Sequence, residues 1–140
     1  MTNKKTNIRK SGYLIIILLL VSTLTSCCVF TSSHYDYTTI RNLAGIRGRI
    51  IMLYQTLQSN IDEMHVADVR NGINEILTYE KNKKCNDQVI KITVQLAAMF
   101  EQHVSERRAG NWSVIIKDNY VMQINTLLDQ AVNTEDAKPK

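Results

Sequence analysis

Three arginines flank two glycines in one short stretch of the chain. Asn42-Leu43-Ala44-Gly45-Ile46-Arg47-Gly48-Arg49-Ile50 follows directly on Arg41. A guanidinium is a planar fork of donors that suits a carboxylate or a phosphate. Glycine leaves the backbone bare, at a cost of about 1 kcal/mol relative to alanine inside a helix. Two readings follow. Either the helix packs tightly at its glycines and the arginines are solvated, or Arg47, Arg49, Arg41, Gly45 and Gly48 form a site for a small anion or small molecule.

Other chemistry is sparse. His65 has Glu63 and Asp68 close in sequence, and His103 has Glu106 one turn on. A metal site inside a helical bundle needs several carboxylates and usually a Glu-x-x-His pair from each of two helices. His-x-x-Glu occurs once and Glu-x-x-His nowhere, so no metal is expected and His103 reads as a surface or boundary residue. There is no Gly-x-Ser-x-Gly elbow and no phosphate-cradling glycine loop. Cys85 lies beside Lys83 and Lys84, neighbours that lower a thiol pKa, but it reads first as a turn cysteine. The Lys81–Lys84 run suits anionic lipid or an acidic partner, or is a solvated turn. The chain is expected to be no enzyme and to need no cofactor.

The elements that must position these residues are helical. Leu43, Ile46, Ile50, Leu53, Leu57, Ile61 and Met64 recur at spacings of three and four. A second stripe runs through Val66, Val69, Ile73, Ile76 and Leu77, and a third through Val89, Ile92, Leu96, Met99 and Phe100. Asn86 or Asp87 is placed to cap the third helix, and Arg107, Arg108 and Gly110 signal its end. A fourth runs from about Trp112 to Ala131 through Ile116, Tyr120, Ile124 and Leu127. The expectation is an all-α, up-down-up-down four-helix bundle over 38–132, with a polar tail over 133–140.

The first 37 residues have another character. Lys4, Lys5, Arg9 and Lys10 precede an apolar run from Tyr13 to Val21, and Leu24-Thr25-Ser26-Cys27 follows. That is the order of an export signal. Its last four residues resemble the lipobox of bacterial lipoproteins. The resemblance implies cleavage after Ser26, a signal over 1–26, lipidation of Cys27 and a tether over 27–37. Acylation with a fatty acid such as palmitate would make Cys27 the membrane anchor. The alternative is an uncleaved anchor over 13–30, just long enough to span a bilayer. Either way the domain is expected in the cell envelope, outside the cytoplasm. Cys28 rather than Asp follows Cys27, which by the same resemblance points to the periplasmic face of the outer membrane in a double-membraned host. The tether, extended, reaches about 30 Å. Cys28 and Cys85 are then an even pair in an oxidising compartment, open to a disulfide; a second acyl group on Cys28 or a free thiol at Cys85 is the alternative.

Cleavage also decides the charge. The net +4 comes from the four cations of the signal, and the remaining 114 residues carry thirteen cations against thirteen carboxylates. Phosphate binding needs a cationic surplus on the folded domain, so no nucleic-acid partner is expected.

The segment Asn42 to Ile50 resembles the first helix of extracytoplasmic four-helix sensor domains of bacterial chemoreceptors and histidine kinases, with Trp112 loosely matching a tryptophan of some members. The resemblance implies small-anion or small-molecule sensing, with Arg47 its first candidate and Arg49 its second. Those sensors continue into a second membrane span and an output domain, whereas this chain stops at Lys140. The expectation is therefore a non-enzymatic, lipid-anchored adaptor that presents a helical surface to another envelope protein. A sensing module and a structural envelope lipoprotein are the alternatives, and self-association through a spare apolar stripe is open.

Overall fold

Three short polar side chains set where helices begin. Asp36, Asp62 and Ser113 each accept a hydrogen bond from a backbone N–H two or three residues on: Thr38 at 2.8 Å, Met64 at 3.0 Å, and Ile116 at 3.2 Å. Such caps satisfy otherwise orphaned donors and are worth about 1 kcal/mol each. The computed structural model describes residues 33–140. They form α1 (Tyr37–Leu57), α2 (Glu63–Lys81), α3 (Asp87–Ala109) and α4 (Val114–Asp136), with no strand among the described residues. The signal, the cleavage site, Cys27 and Cys28 lie outside the described residues. Among the described residues no helix is long and apolar enough to cross a membrane.

The helices alternate in direction. Thr39 meets Glu80 and Arg49 meets Asp68, so α1 and α2 run oppositely. Glu63 with Arg108 and Arg70 with Glu101 show the same for α2 and α3. Arg47 with Asp129, and Asp36 with Glu135, bring α4 back along α1. Each helix packs on its neighbours in sequence, and α4 closes the ring against α1. The chain is an up-down-up-down four-helix bundle.

Its core is made by the expected stripes. Leu43, Ile46, Ile50 and Leu57 of α1, Val66 and Ile73 of α2, Leu96 and Phe100 of α3 and Ile124 and Leu128 of α4 are all buried. Burying each such side chain contributes about 1.5–3 kcal/mol. The stripes depart from expectation at their ends. Met64 is exposed in the first turn of α2, because α1 ends at Leu57 and Asp62 caps a new helix there. Ile116 is exposed and Leu128 takes the buried position, with Leu127 half-buried on the flank.

The tail placed at 133–140 is helical as far as Asp136, and Glu135 within it is fully buried. Tyr35 N–H donates to Pro139 O at 2.9 Å, so the last residues of the tether lie on that tail. The physical reason is periodicity: Glu135 continues the stripe of Ile124, Leu128 and Ala131, and the helix has no cause to stop before it.

Candidate functional site

The three arginines do not converge. Arg47 Nη2 donates to Asp129 Oδ1 of α4 at 2.5 Å. Arg49, on the opposite flank of α1, points to α2 with Nη1 3.6 Å from Asp68 Oδ2. Arg41 lies on the outer, exposed face, where no carboxylate of the described residues pairs with it. A single pocket of arginines is thus not what the structure contains. Among the described residues Arg47 Nε of α1 and Asn125 Oδ1 of α4 are buried without a partner.

Gly45 and Gly48 are exposed, and a Cβ at either position would meet nothing within 4 Å. The close approach expected of them does not occur inside the bundle. The glycine that does permit an approach is one the sequence reading passed over, Gly72 of α2. A Cβ there would stand 2.5 Å from Arg49 Nη2, so the guanidinium rests on bare backbone. Below it a cleft of about 240 Å³ opens between α1 and α2, lined by Arg49, Met52, Leu53, His65, Asp68 and Val69. His65 Nδ1 is 2.9 Å from Asp62 Oδ2 at its rim.

Gly72→Ala separates seat from scaffold. Alanine is the better helix former by about 1 kcal/mol, and the atoms it would strike are the far end of a flexible side chain. The variant is expected to be as stable as the parent or more so in urea titrations, while the Arg49 side-chain NMR resonances move. Unshifted Arg49 resonances would show that Gly72 does not seat it.

A second constellation lies at the end where the tether reaches the bundle. Glu80 is wholly buried and accepts from Thr39 Oγ1 at 2.7 Å, from Lys83 Nζ at 3.0 Å and from Asn86 Nδ2. Lys83 Nζ also contacts Asp36 Oδ2 at 2.8 Å, and Tyr79 donates to the same oxygen at 2.6 Å. Glu135 accepts from Asp36 N–H at 2.7 Å and from Lys138 Nζ, which reaches Asn86 Oδ1 at 2.6 Å. Burial raises the Asp36 carboxyl, but the hydrogen bonds from Lys83, Tyr79 and Thr38 N–H outweigh it and hold it well below the usual carboxylate range. Lys83 is therefore no solvated turn residue. Asn86 stands at the cap position of α3, yet its side chain makes no cap bond and serves Glu80 and Lys138 instead. Cys85, just before it, has φ 56°, a left-handed conformation unusual for a side-chain-bearing residue. It is disulfide-bonded, which removes the reactive-thiol reading; the pairing with Cys28 lies outside the described residues.

The opposite end is aromatic. Tyr54 lies between Phe100, His103 and Trp112, with ring centroids 6.4, 5.8 and 5.2 Å away. Tyr120 stacks on His103 at 3.8 Å. His103 is 1% exposed rather than a boundary residue, and its Nδ1 is 2.9 Å from Tyr54 Oη. Glu106, its proposed companion, accepts instead from Gln102 at 2.8 Å and from Tyr120. Arg107, also buried, donates to the carbonyls of Leu57 and Gly110, satisfying orphan acceptors where α1 and α3 end. Among the described residues no group of three or more His, Cys, Asp or Glu is placed to hold a metal.

Burial lowers the His103 pKa, against the opposing pull of Gln123 and Glu106. The imidazole is thus neutral in the fold, while the unfolded chain takes up its proton near pH 6.5. Below that pH the unfolded state binds more protons, so stability falls as pH drops through 6.5. Urea midpoints measured from pH 7.5 to 5.5 are expected to decline in the parent and to decline less in His103→Gln. Parallel slopes would assign the decline to other groups.

No protein-family model, curated protein sequence or solved structure matches this chain significantly.

Proposed function

We propose that the chain is a non-enzymatic, membrane-anchored adaptor that docks a helix of another envelope protein on the outer face of α1. Cys27 lipidation supplies the anchor. The observation carrying this reading is the bare backbone of Gly45 and Gly48, exposed in mid-helix with open space above. Nothing within the domain uses that bareness, although two interior glycines cost the helix about 2 kcal/mol. A partner helix can approach closely only where side chains are missing. Ala44 and the exposed Met52 extend the same face. Residues 37–57 contain three arginines and no carboxylate, and Arg41 is exposed on that face, so the fitting partner is a helix with apolar contacts and a carboxylate opposite Arg41.

The test is a photo-crosslinking residue at position 48 in living cells, with one at Val94 of α3 as control. One discrete adduct with an envelope protein from position 48, absent from 94 and lost in Cys27→Ala, supports the reading. Equal labelling from both positions, or none, removes it. In parallel, Gly45→Ala/Gly48→Ala is expected to raise stability by about 1–2 kcal/mol in denaturant titrations while weakening that adduct. An unchanged adduct would mean that the bare backbone is not what the partner needs.

A second reading rests on the Arg49 cleft. Arg47 is engaged by Asp129, which moves small-anion sensing from Arg47 to Arg49, whose longer 3.6 Å contact with Asp68 leaves donors for a ligand carboxylate. Calorimetric titration with small carboxylates checks it. Heat that survives Arg47→Gln and vanishes in Arg49→Gln supports the cleft, and no heat in the parent ends the reading.

A further inference from the structure

The buried cluster at the tether end brings an amine, an amide and two carboxylates together, and from it we infer that Lys138 and Asn86 join in an intramolecular isopeptide bond. Asn86 is 2% exposed, and Glu80 and Glu135 are wholly buried. The Lys138 side chain is 11% exposed. Lys138 Nζ donates to Asn86 Oδ1 at 2.6 Å, which holds the amine beside the amide group it would attack. Among the described residues it is the one lysine in hydrogen-bond contact with a side-chain amide. Lys83, the other lysine of the cluster, faces Asp36 and Glu80, and carboxylates resist amine attack.

Each nitrogen that must exchange a proton has its own carboxylate. Glu135 Oε2 accepts from Lys138 Nζ, the nucleophile. Glu80 Oε2 accepts from Asn86 Nδ2, the leaving group. The sequence of steps balances. The Lys138 ammonium gives a proton to Glu135, the carboxylate that accepts from it. The free amine attacks Asn86 Cγ and forms a tetrahedral intermediate. The excess proton moves within the intermediate from the Lys138 nitrogen to Nδ2, which Glu80 holds, the Cγ–Nδ2 bond breaks, and ammonia leaves and takes up the Glu135 proton. One C–N bond forms, one breaks, and no oxidant, reductant or metal is consumed. Holding amine and amide in fixed contact supplies the effective concentration that makes so slow a reaction accessible, on the order of 10⁵ M or more in well-oriented cases.

The link would tie the C-terminal tail to the turn between α2 and α3, beside the disulfide-bonded Cys85, and close a loop spanning 52 positions. This inference is independent of the docking reading, since it concerns buried side chains rather than the outer face of α1 and needs no partner.

The experiment is mass spectrometry of the full chain after disulfide reduction and several days at neutral pH, followed by protease digestion. The expected result is a mass lower than the sequence requires by one ammonia, with a branched peptide joining Asn86 to Lys138. Lys138→Arg keeps the charge, cannot form the link, and is expected to retain full mass. Glu80→Gln is expected to form the link at least a hundredfold more slowly. A parent at full mass overturns the inference, as does ammonia loss with no 86–138 peptide. So does a gain of one mass unit at Asn86, which would show that water attacks there rather than Lys138.

Discussion

Tyr54→Ala is expected to lower the unfolding free energy by about 3–5 kcal/mol, the range for truncating a large buried aromatic. A domain of this size has about 5–15 kcal/mol in total. Tyr54 is 0% exposed and sits at the centre of the aromatic end of the bundle, against Phe100, His103 and Trp112. No neighbour can move in to fill its volume without uncovering another ring. Tyr54→Phe keeps the ring and removes only the hydroxyl, which leaves His103 Nδ1 without its partner at a cost of about 1–3 kcal/mol. Trp112 is the one tryptophan of the chain and is buried in the same cluster, so its fluorescence reports the transition directly. Should Tyr54→Phe cost as much as Tyr54→Ala, the hydrogen bond and not the packing would hold this end.

The aromatic end shows what periodicity reveals and what it hides. The stripe through Leu43, Ile46, Ile50, Leu53 and Leu57 is legible because each residue is large, apolar and spaced for one face. From such stripes the helices, their number and their order all follow. His103 and Arg107 lie among buried neighbours of α3, but their polarity reads as exposure until a specific partner is visible. Their partners, Tyr54 and the Leu57 carbonyl, are about fifty positions away, and no local rule joins them. Glu80 and Glu135 are the same case with a usable signal. Each continues an apolar stripe at the next turn, Ile73 to Ile76 to Glu80 and Leu128 to Ala131 to Glu135. A carboxylate in register with the core marks a buried network.

The arginines of α1 point apart for a reason that helix geometry already contains. Residues two apart in a helix are turned about 200° from each other, so Arg47 and Arg49 reach opposite flanks and cannot share a ligand. The glycines were legible as costly, but a cost does not say what benefits. Exposed Gly45 and Gly48 and buried Gly72 look alike in sequence, and only the helix packed opposite each one tells them apart.

The polar end yields the other large effect. Lys83→Met is expected to cost about 3–5 kcal/mol at pH 7, because it strands Asp36 and the fully buried Glu80 without their shared cation. Replacing both partners differs from breaking the pair. Lys83→Met/Glu80→Gln is expected to recover part of the loss, since a neutral amide in place of Glu80 removes the uncompensated charge. The pH dependence separates this from a packing defect. In the parent, Asp36 is held below the usual carboxylate range with Lys83 as its main partner. Its contribution is therefore complete above about pH 5, where the unfolded carboxyl is ionised, and is lost progressively as pH falls below that value. Without Lys83 the folded and unfolded pKa values of Asp36 draw together, and that acid limb flattens. The stability gap between parent and Lys83→Met should thus be widest at pH 7 and narrow toward pH 3 in urea titrations. A gap that stays constant over that range would mean that Lys83 acts through its packed methylenes, and that the two carboxylates never depended on its charge.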